Sequence, residues 1–229
     1  MAFSVSGFSQ PLAMFPFNAE CWGMEYFSQA DLAYISPRVQ FAPGADDVEG
    51  GSLELAGSYD SFIEIPNMWG GFADAGRSIT LLTFIYPTGS GGPILSYDIY
   101  GFGVQLWHEG FYGEMGVLTA YFIRRDLMDC APPLSAPVLN MNAWNFIGAS
   151  FDHDSGVARL WHNGNEVAAV SIGYNFDLAT QFFIRIGALA SPWQGYYFAG
   201  RISHLHIYAE ALTVDNIRAV GGIQRGKHD

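Results

Sequence analysis

Hydrolysis of a glycosidic bond by a retaining pair of carboxylates needs two acids on one face of a strand, about 5–5.5 Å apart, so Glu and Asp must recur with a period of two. No Glu-x-Asp-x-Glu or Glu-x-Asp-x-x-Glu run occurs. Glu64 stands alone among Ile63, Ile65 and Pro66, Asp46, Asp47 and Glu49 sit in a Gly-flanked loop, and Glu109 and Glu114 flank a Gly-rich turn. A Gly-x-Ser-x-Gly elbow is also absent, and no Cys/His pairing stands out. The residues therefore point to a chain that is not an enzyme.

Recognition chemistry is better represented. Flat aromatic faces stack on the C–H patches of sugars, and polar neighbours bond the hydroxyls. The segment Ser191-Pro192-Trp193-Gln194-Gly195-Tyr196-Tyr197 carries such groups between two strand-like runs, with Trp193, Gln194, Tyr196 and Tyr197 as candidate ligand-binding residues. A second loop, Asn67-Met68-Trp69-Gly70-Gly71-Phe72, adds Trp69 and Asn67. Loops run over the surface, and exposed Trp and Tyr serve equally as anchors for protein partners or as caps on the open ends of a core. Trp107, Trp144 and Trp161 fall on strand-like runs and are read as core.

Calcium needs six to eight oxygens, including loop carboxylates. Asp98, Asp60 and the Asp46/Asp47 pair qualify, against the alternative of solvated acids in Asx-turns. His204 and His206, two apart, share a strand face that could hold a transition metal with a third ligand, or be a half-exposed polar face. Cys21 and Cys130 could form one disulfide or remain two thiols, and their spacing fits no zinc or redox motif.

These residues are to be positioned by a chain of 229 residues, 50% hydrophobic and 14% charged, long enough for a sizeable core. The 18 Phe, 12 Tyr and 27 Gly suit short strands joined by tight turns. A formal charge of −12 argues against nucleic acid, because phosphate binding needs clustered Lys and Arg. No apolar run is long enough for membrane insertion as a helix. The start, Met1-Ala2-Phe3-Ser4, lacks a basic and apolar leader, and no Asn-x-Ser/Thr sequon occurs.

The pattern is strand after strand without a dividing linker, so 1–229 reads as a single domain with a polar tail, 224–229, that frays. Strands are expected over 78–86, 93–97, 103–107, 117–123, 144–151, 181–186 and 200–208. Asn163-Gly164, between Val157–His162 and Asn165–Val167, predicts a two-residue type I′ hairpin, since both residues tolerate positive φ. Thr213 caps a short helix over Val214 to Arg218. Ile202 is out of phase with Leu205 and Ile207, which implies either two covered faces or a bulge.

The order Trp144-Asn145-Phe146-Ile147, Ser150-Phe151-Asp152, Arg159-Leu160-Trp161-His162-Asn163-Gly164, Ile184-Arg185-Ile186-Gly187 and Phe198-Ala199-Gly200-Arg201-Ile202, closed by Ile207-Tyr208 and Leu212, resembles the laminin G-like and pentraxin-like branch of the concanavalin A-like lectin/glucanase superfamily. Gly57-Ser58-Tyr59 and Phe62-Ile63-Glu64-Ile65-Pro66 match its N-terminal half. The resemblance implies an all-β jelly-roll sandwich of two antiparallel sheets with one short C-terminal helix. It also implies an extracellular, secreted or cell-surface setting, and a rim of loops that binds glycans or proteins, often with Ca²⁺. Asp98 lies close to where laminin G-like domains place a rim calcium ligand. The chain departs from pentraxins at Thr83 and Gly148, where their core disulfide would lie, and at Ala188 to Trp193, where their acidic calcium cluster would lie; Ser203 replaces an Asp common in laminin G-like relatives. The expected function is a non-catalytic recognition module binding glycan through rim loops. The alternative is a protein-interaction or matrix-adhesion module, and a glycoside hydrolase ranks behind both.

Overall fold

The computed structural model describes residues 10–30, 32–89, 91–98, 101–110, 116–128, 130–174, 176–190 and 195–222. In chain order the elements are β1 (Ala13–Phe15), β2 (Tyr34–Ile35), β3 (Gln40–Ala42), β4 (Ser52–Ala56), β5 (Ile63–Ile65), β6 (Ile79–Pro87), β7 (Gly91–Tyr97) and β8 (Gln105–Glu109). They continue with β9 (Gly116–Tyr121), β10 (Leu134–Leu139), β11 (Asn145–Asp152), β12 (Val157–His162), β13 (Asn165–Ser171), β14 (Ile184–Ile186), β15 (Ala199–Tyr208) and α1 (Val214–Val220). The expected tail, 224–229, lies outside the described residues.

Two antiparallel sheets face each other, as the jelly-roll expectation requires. The first runs β13-β12-β11-β6-β15-β4-β3, with β1 also paired to β15, and the second runs β10-β9-β8-β7-β14-β5-β2. Period-two alternation sends Ile79, Leu81 and Ile85 of β6, Ile147, Ala149 and Phe151 of β11, and Ile202, Leu205 and Ile207 of β15 inward. They meet Leu106 of β8, Leu118 and Ala120 of β9, and Ile184 and Ile186 of β14 in one core. No helix among the described residues is long and apolar enough to cross a membrane.

The local signals act as their chemistry dictates. Asn163 and Gly164 take φ of 48° and 74°, and the hairpin joins β12 to β13. The phase break in β15 is a bulge: the register shifts between Ser203 and His206, and His204 adopts φ 53°. This returns Ile202, Leu205 and Ile207 to the same core face. The Thr213 side chain accepts a hydrogen bond from the Asn216 amide at 3.3 Å, capping α1.

The helix has a further role. Outward residues Leu82 and Phe84 of β6, Phe146 of β11, Trp161 of β12 and Tyr208 of β15 pack with Leu212, Val214, Ile217 and Val220 into a second, smaller core. Arg218 fastens the helix to the β12–β13 hairpin by donating to the Gly164 carbonyl at 2.9 Å and the Asn165 side chain at 3.0 Å. Trp161, read as core, is buried here, and its indole N–H donates to Ser150 Oγ at 2.9 Å.

Candidate functional site

The outward face of the second sheet has no such cover from α1. Alternation on β8 places Leu106 and His108 inside and Gln105, Trp107 and Glu109 outside. Across the ladder Gln105 pairs with Tyr121 and Trp107 with Thr119 of β9. Trp107 is therefore only half-buried and lies outside the core, contrary to its reading as a core residue. Tyr121 lies edge-to-face with it at 6.4 Å and Tyr196 at 6.2 Å. Tyr196 is 63% exposed. Three aromatic rings thus form a shelf, with Trp107 at its centre.

Polar groups frame and fix the shelf. The Trp107 indole donates to Gln105 Oε1 at 2.6 Å, and the Gln105 amide in turn donates to the Gly101 carbonyl. The Tyr121 hydroxyl donates to Glu109 Oε1 at 2.9 Å. Burial, reinforced by the Glu109 carboxylate, pushes the Tyr121 phenol up to about 12, so it stays protonated and keeps donating.

Asp98 holds the loops around this shelf. It is fully buried, and its carboxylate accepts from the Gly101 amide at 2.6 Å and from the Ala190 amide. Its own amide donates to the Phe183 carbonyl at 2.8 Å. The first contact closes the turn after β7; the second anchors the segment that leads from β14 toward Tyr196. Asp98 is consequently a positioning residue: each of its carboxylate oxygens accepts a backbone amide inside the fold. Asp60 is likewise engaged, with Ser58 Oγ at 2.7 Å and Arg38 Nε at 3.0 Å, and these two partners hold its carboxyl below the usual range. Among the described residues no group of three or more His, Cys, Asp or Glu stands close enough to hold a metal, His204 and His206 included.

The other expected residues separate. Trp193 and Gln194 lie outside the described residues. Tyr197 is half-buried and its backbone bridges to Ala188. Trp69 is 85% exposed in a left-handed conformation, φ 60°, with its amide donating to the Gln181 carbonyl at 2.9 Å. Asn67, in the same loop, faces inward. It is buried, its amide donates to the carbonyls of Thr180 at 2.9 Å and Phe182 at 3.1 Å, and its Oδ1 accepts from the Ala73 amide at 2.8 Å. No disulfide joins Cys21 and Cys130. Cys21 sits in a turn closed by Asn18, whereas the Cys130 backbone bridges to Ile123 beyond β9 and its thiol donates to the Ala131 carbonyl.

A second feature was invisible in the sequence. Four loops at one end of the sandwich line an open cleft of about 490 Å³, formed by residues 74–77, Arg125, His153 and Asp177. Arg125 forks onto Asp74 with contacts of 2.8 and 2.7 Å, and the Thr180 hydroxyl donates to Asp74 at 2.6 Å. Burial alone would raise the Asp74 carboxyl, but these hydrogen bonds and the guanidinium charge together hold it below its ordinary value. On the other wall, Arg77 Nη2 contacts His153 Nδ1 at 3.1 Å and Asp177 Oδ1 lies 3.3 Å from His153 Nε2.

The architecture is that of a β-sandwich of the lectin and glucanase kind. A family model described as a laminin G domain of the concanavalin A-like lectin/glucanases superfamily matches residues 57–218, and the chain belongs to that family. No curated protein matches the sequence. Among solved structures, the binding domain of botulinum neurotoxin serotype G superposes with a TM-score of 0.72 at 14% identity, over 94% of this chain and 51% of that one. The binding domain of Paraclostridial Mosquitocidal Protein 1 gives 0.68 at 13% identity, over 92% and 51%. The serotype D ligand binding domain in complex with N-acetylneuraminic acid gives 0.65 at 11%, over 93% and 50%. The chain spans about half the length of these proteins. At such identities the likeness is one of fold.

Proposed function

We propose that this chain is a non-catalytic recognition module that binds glycans on the outward face of its second sheet, with Tyr196 and Trp107 as the stacking surface. The observation that carries this reading is the shelf itself: an exposed Tyr196 ring edge-on to a half-buried indole, which Gln105 holds in place, with the Glu109 carboxylate on the same face. Aromatic platforms with few, well-oriented polar groups are the general form of a small-ligand site. A carbohydrate ligand is in keeping with the serotype D neighbour, a ligand binding domain in complex with N-acetylneuraminic acid of which this chain matches half. Glu64 pairs with Arg185 at 2.8 Å and Glu109 with Tyr121, so these two outward carboxylates of the sheet are engaged in structural contacts. That supports binding without hydrolysis. Since Asp98 and Asp60 commit their oxygens elsewhere, binding is calcium-independent in this reading. Family membership and the toxin neighbours support an extracellular setting as part of the same proposal.

A second reading, docking of a protein partner, is favoured by two apolar loop tips, Trp69 at 85% and Met128 at 80% exposure. A broad glycan array decides between them, run in millimolar Ca²⁺ and in EDTA with wild type and Tyr196→Ala. The glycan reading expects a defined sugar class, retained in EDTA and weakened about tenfold or more, on the order of 1.4 kcal/mol, by Tyr196→Ala. Silence from folded protein, or binding that Tyr196→Ala leaves intact, contradicts it.

A further inference from the structure

The rim cleft holds two couples of opposite charge, built differently. Asp74 and Arg125 close on each other as a bidentate fork, which is self-satisfied. Arg77 and Asp177 do not meet. The His153 ring stands between them, with the guanidinium on its Nδ1 side and the carboxylate on its Nε2 side. A guanidinium can only donate, so Nδ1 accepts from Arg77 and Nε2 carries the proton toward Asp177. His153 is itself fixed: it is buried, its amide donates to Ser78 Oγ at 3.0 Å, and its ring packs edge-on against Phe151 at 6.5 Å. It acts as a rigid spacer that keeps a cation and an anion apart at the mouth of a cleft, where their side chains are 69% and 58% exposed.

We propose that this cleft is a second binding site, selective for a small zwitterion of the amino-acid class, whose carboxylate is taken by Arg77 and whose ammonium is taken by Asp177. The spacing suits such a ligand. Contacts of 3.1 and 3.3 Å on either side of one imidazole set the two charges on the order of 8 Å apart. An α-amino acid flanked by two charge-assisted hydrogen bonds of about 2.8 Å spans the same gap. The field selects the same class. A lone anion meets Asp177, Asp154 and a chain of net charge −12, whereas a lone cation, though drawn by that charge, leaves the Arg77 guanidinium without a ligand partner. Asp154 sits 3.8 Å from Arg77 in a solvent-exposed pair, which a ligand carboxylate displaces at little cost. The volume of about 490 Å³ accommodates a small amino acid with its first water shell.

The test is an NMR titration of the full chain, reading the Arg77 Nε–H and His153 ring resonances. The probes are free glycine as zwitterion, acetate as anion, methylammonium as cation and glucose as polyol. Glycine is expected to shift both resonances and saturate, with each of the other three at least about tenfold weaker. Arg77→Gln and Asp177→Asn, at exposed positions that leave the core intact, are each expected to weaken glycine about tenfold or more. Equal affinity for acetate or methylammonium overturns the proposal in favour of a simple ion site, preference for glucose overturns it in favour of a sugar subsite, and no response to glycine overturns it outright. The readout lies in the cleft, so failure here and failure of the aromatic shelf are separate results.

Discussion

Both sheets carry a tryptophan-centred aromatic cluster on their outward faces, and the two clusters have opposite fates. On the first sheet Trp161, Phe146, Phe84 and Tyr208 are roofed by α1 and become a second core. On the second sheet Trp107 and Tyr121 are covered by nothing from α1, and Tyr196 leans on Trp107 with most of its own surface in solvent. An aromatic cluster under a helix stabilises the fold, whereas the same chemistry left open is available for binding. What separates them is a helix of seven residues, held by one threonine cap and one arginine.

The contrast can be broken most forcefully at Trp161. Trp161→Ala removes a buried ring and leaves Ser150 Oγ without its donor, so a loss of about 3–5 kcal/mol is expected in denaturant unfolding. Trp107→Ala, the same substitution on the open face, is expected to cost under about 2 kcal/mol while abolishing array binding. Equal stability losses would remove the distinction between the faces.

Acid reaches buried histidines on both sheets, and His108 and His206 are the two driven furthest. Burial drives His108, inside the second sheet, down to about 4, and burial with a smaller contribution from His204 does the same for His206 on β15. Both are depressed below the unfolded value, so the unfolded chain binds more protons between about pH 6.5 and pH 4. Stability is then full above about pH 6.5, falls with falling pH through that window and levels off below about 4. His108 alone accounts for about 3 kcal/mol. Thermal unfolding from pH 7.5 to 4.5 checks this, and His108→Gln should flatten the profile. An unchanged profile in that variant would remove His108 from the account.

Asp98 tests the support beneath the shelf. Asp98→Ala frees the Gly101 and Ala190 amides, with an expected stability loss of about 1–3 kcal/mol and weaker sugar binding through displacement of the segment leading to Tyr196. Added Ca²⁺ should leave the melting temperature of wild type unchanged; a calcium-dependent rise abolished by Asp98→Ala would restore the metal role. The smallest effect is expected for Tyr121→Phe, which keeps the ring and loses only the Glu109 hydrogen bond. A few-fold drop in affinity is expected in a binding titration, with stability changed by about 1 kcal/mol or less.

Much of the fold is legible in the sequence because its signals are local. Asn163-Gly164 needs only its own φ tolerance to make a hairpin and Thr213 only the amide three residues on, while the phase slip at Ile202 leaves two covered faces or a bulge open until the ladder shows the bulge. The sites are less legible. Tyr196 stands out as a loop aromatic, but Trp107 on a strand reads as core until its phase is followed: Gln105, Trp107 and Glu109 alternate with Val104, Leu106 and His108, and polar neighbours on either side mark the outward face. Asp98 and Asn67 look like solvent-facing loop groups because burial is set by distant segments, 92 and 113 residues away in sequence. The charged cleft draws on four loops whose proximity no spacing encodes.

The most direct test follows the two indole N–H resonances side by side while the strongest glycan from the array is titrated into ¹⁵N-labelled protein. Trp107, bonded to Gln105 on the open face, is expected to shift and saturate, while Trp161, bonded to Ser150 beneath the helix, stays in place. A bound glycan that leaves Trp107 unmoved would contradict the assignment of recognition to the second sheet's outward face.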